Sequence, residues 1–577
     1  MTLLVQPGPS AKPSSDQARA HELVARFEAL AENVQRLSLD CFDTILVRDV
    51  AEPTDVFYDL AQSEPFRRLG LSAKMRVDAE SRARSLAALR HRRSEVSLAE
   101  IYRGAFPQLS DAEVQELARA EIEAEKRTCS AFEPTIALMR AAQARGVPIM
   151  IVSDTYLSEP ELRELLAACI PADALAAVDR IFCSSVHGHS KTGGLLKLVG
   201  KLMGVPLRAI LHVGDHALSD LASARDAGMQ ALQLIHHCPA VEGALRTQGI
   251  ALSLVAPEVR RLRGLPRPYA ALCAQTKGLD DPAALLGYVG AGPLLYAFAH
   301  FVLDSLSELE AKGARPKPLF LLRDAFLPQR VCSVLLGRDA GPSASLSRFA
   351  AYAASFRTKE DVERYLARSA GSGRLEPMVR QLLLPMHVAE RITKAAKRAS
   401  SPAHEFVRQV LERSTLELVL ERSKAYRRRL LRYLEKRVKL EPGDTLVMVD
   451  LGYEGTVQRQ LAPVLEDELG ITVTGRYLLA SRVPGWERDR RGLFDPSTCD
   501  DRVVSTLVEH AALLEDLCTS DDPSVVDYTE DGEAVFDEHV IDAAQYARTK
   551  TIQTEIVRFA REAEAWFSGT RTRPDTD

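Results

Sequence analysis

Three nearly continuous apolar runs in the first 235 residues each end on an acid: LSLD at Asp40, VPIMIVSD at Asp154 and AILHVGD at Asp215. Short β-branched runs of this kind predict strands buried on both faces, as in a parallel sheet. A further run, RIFCSS at 180–185, stands between the second and third. After Asp40 the period changes, and from 55 to 127 apolar positions recur at helical spacing through DVFYDLAQ, AKMRVDAESRARSLAALRH, SLAEIYRGAF and DAEVQELARAEIEAEKR. Ser97 and Asp111 stand where helix N-caps are expected. The pattern predicts one α/β domain over 20–235, with a helical insertion at about 52–130 following its first strand.

Residues 236–268 are dense in Pro and Arg and read as a connector without packed structure. From 269 to 577 the alternation returns, with an apolar helix at GPLLYAFAHFVLDSLSELEAKG, strands at 318–324 and 445–450, and a third strand at VTGRYLLASR. This predicts a second α/β domain. ERSKAYRRRLLRYLEKRVK at 421–439 is a basic helix with Tyr426, Leu430, Tyr433 and Leu434 on one side, which reads as a solvated cationic face on a packed helix. Residues 1–19 read as a disordered tail.

Composition narrows the class. With 46% hydrophobic and 27% charged residues and a net charge of -5, the chain is of globular type and implies no nucleic-acid partner. Nine cysteines without a CxxC pair argue against a zinc ribbon or a disulfide framework and suggest a reducing, cytoplasmic setting. Neither a secretory leader nor a transmembrane run is expected from the pattern.

The candidate chemistry lies at the strand ends: Asp40 with Asp43 and Thr44, Ser153 with Asp154, Asp215 with Asp220, and Lys191 between the last two groups. A carboxylate nucleophile, a hydroxyl, an ammonium and acidic metal ligands suit phosphoryl transfer, where positioning and charge neutralisation provide most of the catalysis. His187, His189, His212 and His216 crowd the same stretch, but paired histidines on loops are more often surface polarity than a metal site.

In order and spacing, DCFDT (40–44), SDTYL (153–157), SK (190–191) and GDHALSD (214–220) resemble the four motifs of the haloacid dehalogenase-like hydrolase superfamily. The resemblance implies a Rossmann-like core with a helical cap that selects small phosphorylated substrates. It also implies Asp40 as nucleophile, Ser153 and Lys191 holding the transferring group, and Mg2+ on Asp40, the Phe42 backbone carbonyl, Asp215 and Asp220. Phe42 departs from the pattern, because the family's phosphatases carry a proton-transferring carboxylate there. Asp43 or His216 would have to substitute, or the leaving group would need no proton. Two alternatives follow from Phe42: a haloacid dehalogenase, or a catalytically weak domain fused to a phosphate- or nucleotide-sugar-binding or transferase domain. Arg48 and the arginines of SRARSLAALRHRR could meet an anionic substrate or form a solvated face.

The DxFDT variant, GAGPLLYAF, FLLRDAF and VMVDLGYEGTVQRQL together resemble a two-domain bacterial group of this superfamily linked to surface-polysaccharide functions. In the second half Arg323, Asp324, Asp450, Gly452, Gly455 and Thr456 are candidates for an anion site at a strand-to-helix turn.

Overall fold

A computed structural model describes residues 16–256, 264–369, 375–486, 488–537 and 542–568. The chain divides into two compact units, one running to Leu285 and taking in the chain again from Ala565, the other running from Leu286 to Glu564. The sequence pattern ends the first domain at 235 and begins the second at 269, with a connector between them.

The strands of the first unit are β1 (Gln17–Arg19), β2 (Arg36–Leu39), β3 (Leu46–Arg48), β4 (Cys129–Ala131), β5 (Ile149–Ser153), β6 (Val178–Cys183), β7 (Ile210–Gly214) and β8 (Gln230–Ile235). Six of them form one parallel sheet in the order β1-β8-β7-β2-β5-β6. Its centre is buried on both faces: Leu37, Leu39, Ile149, Ile151, Leu211 and Val213 are fully inaccessible. This is why the three runs read as unbroken apolar stretches rather than alternating ones.

Part of the expected tail is structured. Residues 17–19 pair with β8 at the sheet edge, and residues 1–15 lie outside the described residues. The expected connector also differs, because Pro239–Val255 is a helix with Val241 and Leu245 buried. Proline at its first turn starts this helix instead of breaking it.

The insertion begins with β3, which pairs antiparallel with β4 and so brings the two ends of the insertion together. Helices Ala73–His91, Leu98–Ala105 and Asp111–Thr128 form its body. Ser97 caps the second with a capping box to Glu100, whereas the third is capped by Ser110, one residue before the expected Asp111. Inside, the Arg76 guanidinium is fully buried and bound to Glu121 through Nε (2.7 Å) and Nη2 (2.6 Å). Arg84 pairs with Glu80 and Arg93 with Glu100, so two arginines of the expected face are engaged within the insertion.

The second unit has its own parallel sheet, built from β9 (Pro316–Leu322), β10 (Ser343–Ser345), β11 (Thr445–Tyr453), β12 (Thr472–Ala480) and β13 (Arg490–Phe494) in the order β10-β9-β11-β12-β13. β14 (Val525–Tyr528) and β15 (Ala534–Phe536) form a separate hairpin. That hairpin explains the basic helix. Within Arg413–Arg437, Tyr426, Leu430, Tyr433 and Leu434 are buried, while Arg429 pairs with Asp527, Arg432 with Glu530 and Lys436 with Glu533. The cationic face is matched by this chain's own acids. Pro282–Ala311 is long and apolar enough to cross a bilayer, but 61% of its most apolar stretch is buried inside the protein.

Candidate active site

In the first sheet the chain moves outward from β2 to β5 and β6 on one side, then crosses to place β7 and β8 on the other. The loops leaving β2 and β7 therefore diverge and open a crevice at the carboxyl ends of these strands, where open α/β sheets hold ligands. Asp40 follows β2, Asp215 follows β7, and Ser153 ends β5 in a buried position. Ser153 does not cap the next helix, since Ser158 takes that role with Glu161.

The loop after β2 is tightly wound. The Asp40 N–H donates to the Val213 carbonyl (2.9 Å), and the Ile45 and Leu46 N–H groups both donate to the Cys41 carbonyl. The turn puts Asp43 at φ 55°, with its carboxylate about half exposed and 4.0 Å from Arg48. The Arg48 guanidinium lies 4.1 Å from the centre of the Phe42 ring and binds Glu125 through two bonds of 3.0 Å. Arg48 is thus committed within the fold. Among the described residues, the Phe42 carbonyl accepts no hydrogen bond from the protein, and the buried Thr44 hydroxyl has no partner.

Lys191 is buried between the acids. Its backbone N–H donates to Asp154 Oδ1 (2.8 Å), which fixes its loop on the end of β5, and its ammonium lies 2.8 Å from Asp40 Oδ1 and donates to Asp220. Burial alone would lower its pKa, but Asp40, Asp220 and Asp154 outweigh that and hold it above the ordinary lysine value. The ammonium therefore stays charged.

Asp220 reaches the strand end because residue 214 is glycine. A Cβ on Gly214 would stand 2.3 Å from Asp220 Cγ. Asp220 also accepts the His216 backbone N–H (2.9 Å) and contacts His212 Nε2 (3.2 Å), whose Nδ1 lies 2.8 Å from Ser38 Oγ on the neighbouring strand. Despite burial, His212 and Lys191 keep the Asp220 carboxyl well below the usual carboxylate range. The sequence grouped His212 with loop histidines, but it is a β7 residue facing β2. The clue was a histidine and a serine inside runs otherwise apolar. His216 lies at the surface, and its Nδ1 accepts the Leu218 and Ser219 N–H groups.

Asp40, Asp215 and Asp220 can each present a carboxylate oxygen within 4.8 Å of the others, and none of the four histidines belongs to this group. Burial, then the charges of Asp40, Asp43 and Asp220, push the Asp215 carboxyl up to about 8. Burial likewise raises Asp40, against the pull of Lys191. Three hard oxygen donors that repel one another suit a hard divalent cation.

A stability prediction follows. A carboxyl held at about 8 in the fold and near its ordinary value when unfolded makes the folded state bind the extra proton in between, so stability falls as pH rises through that window. In chelator-treated protein the melting temperature should drop from about pH 5 to about pH 8, with added Mg2+ recovering more at the upper end. A flat profile, or an equal Mg2+ shift at both ends, would contradict the crowding of these acids.

In the second unit Arg323, Asp324 and Asp450 line one cavity, whereas Gly452, Gly455 and Thr456 do not. Gly452 (φ 101°) packs against β12, where a Cβ would meet the Leu479 carbonyl at 2.4 Å. The two glycines make a close turn, and the cavity is built from the strand ends.

No family model and no curated protein matches the chain. Among solved structures it is similar to an L-2-haloacid dehalogenase from Xanthobacter autotrophicus, at 15% identity over 41% of this chain and 91% of that one, with a TM-score of 0.28. It is also similar to a HAD phosphatase from Thermococcus onnurineus, at 18% identity over 35% of this chain and 87% of that one, with a TM-score of 0.26.

Proposed function

We propose that the first unit is a haloacid dehalogenase-like hydrolase that removes the phosphoryl group from a small phosphorylated metabolite, such as a sugar phosphate. The observation that carries this is the meeting of Asp40, Lys191, Asp215 and Asp220 at the carboxyl end of one sheet. Asp40 attacks phosphorus as the bond to the leaving oxygen breaks, giving an aspartyl-phosphate, and water then attacks phosphorus to release phosphate and the free carboxylate. Lys191 balances the charge of Asp40 and the phosphoryl oxygens, and Ser153 holds one of those oxygens. Asp40, the Phe42 carbonyl and Asp215 would hold Mg2+, with Asp220 beside it. When bound, the ion neutralises charge that develops on the phosphoryl group.

The acid set favours this reading over dehalogenation, because three carboxylates repel an anionic haloacid that brings no cation with it. The helical cap restricts access to small molecules, and its closure excludes water. No cysteine forms a disulfide among the described residues, which suits a cytoplasmic enzyme.

The proton for the leaving group is the weak point of the site. The Phe42 ring cannot supply it, Asp43 is turned toward Arg48, and His216 has its Nδ1 engaged in a turn. Activated phosphates such as p-nitrophenyl phosphate and acetyl phosphate should therefore turn over faster than alkyl phosphates. Phe42→Asp should raise alkyl phosphate turnover by about 10²-fold and affect p-nitrophenyl phosphate much less, since general acid catalysis contributes most to poor leaving groups. An equal gain on both would mean that Phe42 limits the enzyme in another way.

The deciding experiment compares phosphate release from these esters with chloride release from 2-chloropropionate, with Mg2+ and with chelator. Mg2+-dependent phosphate release is expected. Metal-independent chloride release, or no turnover of any phosphate ester, would defeat the proposal.

A further inference from the structure

The second unit has a crevice of its own. The chain leaves β9 for β10 on one side and returns for β11 on the other, so its topological switch falls between β9 and β11. A cavity of about 200 Å³ lies there, lined by Arg323 and Asp324 beyond β9, Asp450 of β11, Ser345 of β10, Arg348 at the start of helix Arg348–Ser355, and Glu515.

The two guanidiniums and Asp324 lack close protein partners among the described residues. Among the described residues, neither guanidinium has a carboxylate within 4.0 Å or a side-chain hydrogen bond. Some other arginines of the unit do have carboxylate partners, as in Arg357 with Asp467 and Arg476 with Asp489. Among the described residues, the Asp324 carboxylate has no hydrogen bond or ion pair, the Asp450 carboxylate accepts only the adjacent Leu451 N–H (2.9 Å), and Glu515 accepts the Tyr453 hydroxyl (2.8 Å). Burial and the charge of Asp324 hold Asp450 well above the usual carboxylate range. Burial and Glu515 raise Asp324, against Arg323 and Arg348. Half-buried carboxylates crowded against one another are unfavourable for the protein alone, and such groups in a cleft are candidates for a ligand site.

One ligand chemistry satisfies both signs. A lone anion would meet four carboxylates, Asp522 being the fourth, and a lone organic cation would meet two guanidiniums. A phosphoryl group chelated to a divalent cation presents charge of each sign, in the manner of Mg2+ sites that combine one or two carboxylates with phosphate oxygens. We propose that this cavity binds a divalent cation between Asp324 and Asp450, together with the phosphoryl group of a small ligand held by Arg323 and Arg348. The cavity is smaller than the roughly 300–1,000 Å³ of most ligand pockets, so it takes the phosphoryl head while the rest of the ligand extends outward.

The test uses the full chain carrying Asp215→Asn, which disables the acidic cluster of the first unit and separates this result from the hydrolase reading. Mn2+ is the probe cation, followed by electron paramagnetic resonance, and inorganic phosphate is the probe anion. One Mn2+ should bind, and phosphate should tighten it about tenfold, an ordinary coupling between two ligands. Adding Asp450→Asn should abolish the binding. Adding Arg323→Gln or Arg348→Gln should keep the ion and remove the phosphate effect. Asparagine keeps the shape of Asp450 and removes a repelling charge, and Arg348 is exposed, so each variant should melt as cooperatively as its parent. The proposal is overturned if no Mn2+ binds with or without phosphate, if binding survives Asp450→Asn, or if phosphate leaves the affinity unchanged.

Discussion

Asp40→Asn should lower p-nitrophenyl phosphate turnover by about 10⁴-fold or more, the scale seen when a covalent nucleophile is removed. Asparagine has nearly the same shape, so packing against β7 and the N–H bond to Val213 should survive. What disappears is the oxygen that bonds to phosphorus, together with one of the two carboxylates that contact the Lys191 ammonium. A purely structural Asp40 would behave differently: the melting temperature would fall and residual activity would track the folded fraction. Acid-quenched wild-type protein should also trap phosphate on the chain, and Asp40→Asn should trap none. Turnover within about tenfold of wild type would remove Asp40 from the chemistry.

Arg76→Met should destabilise the first unit by about 3–5 kcal/mol, because it leaves Glu121 buried and uncompensated. Both side chains are fully inaccessible. Glu121 would keep the Tyr102 hydroxyl as a donor, which cannot replace a bidentate guanidinium. The substitution also removes a cation placed 4.5 Å from the Phe57 ring and 4.9 Å from the Tyr156 ring. Since Tyr156 follows β5, the loss should loosen the cap where it meets the catalytic loops. Urea unfolding should show most of the deficit recovered in Arg76→Met with Glu121→Leu, since the double change removes both charges together. A single-variant cost below about 1 kcal/mol would mean that the pair behaves like an exposed one.

Much of the first unit was legible beforehand because its signals are local. A strand buried on both faces must be apolar almost throughout, so the runs ending at Asp40, Asp154 and Asp215 show both the strands and their polar ends. The connector was misread for a local reason as well, since proline at residue 239 starts a helix as readily as it ends one. Elements such as β10 and β13 were missed because they are short edge strands whose pairing depends on neighbours distant in sequence.

The order of residues by itself determined which groups stand at strand ends, that the insertion is helical, and that a phenylalanine stands two places after Asp40. These follow from period, run length and spacing within single elements. Only the tertiary structure decided which charges are committed and which remain available. Arg48 went to Glu125, the basic helix went to the β14–β15 hairpin, His212 went to Ser38 and Asp220, and Arg323 and Arg348 were left facing a cavity. The physical reason is that a charge finds its partner across sheets and helices. Such pairing depends on strand order and burial, which no window along the chain contains.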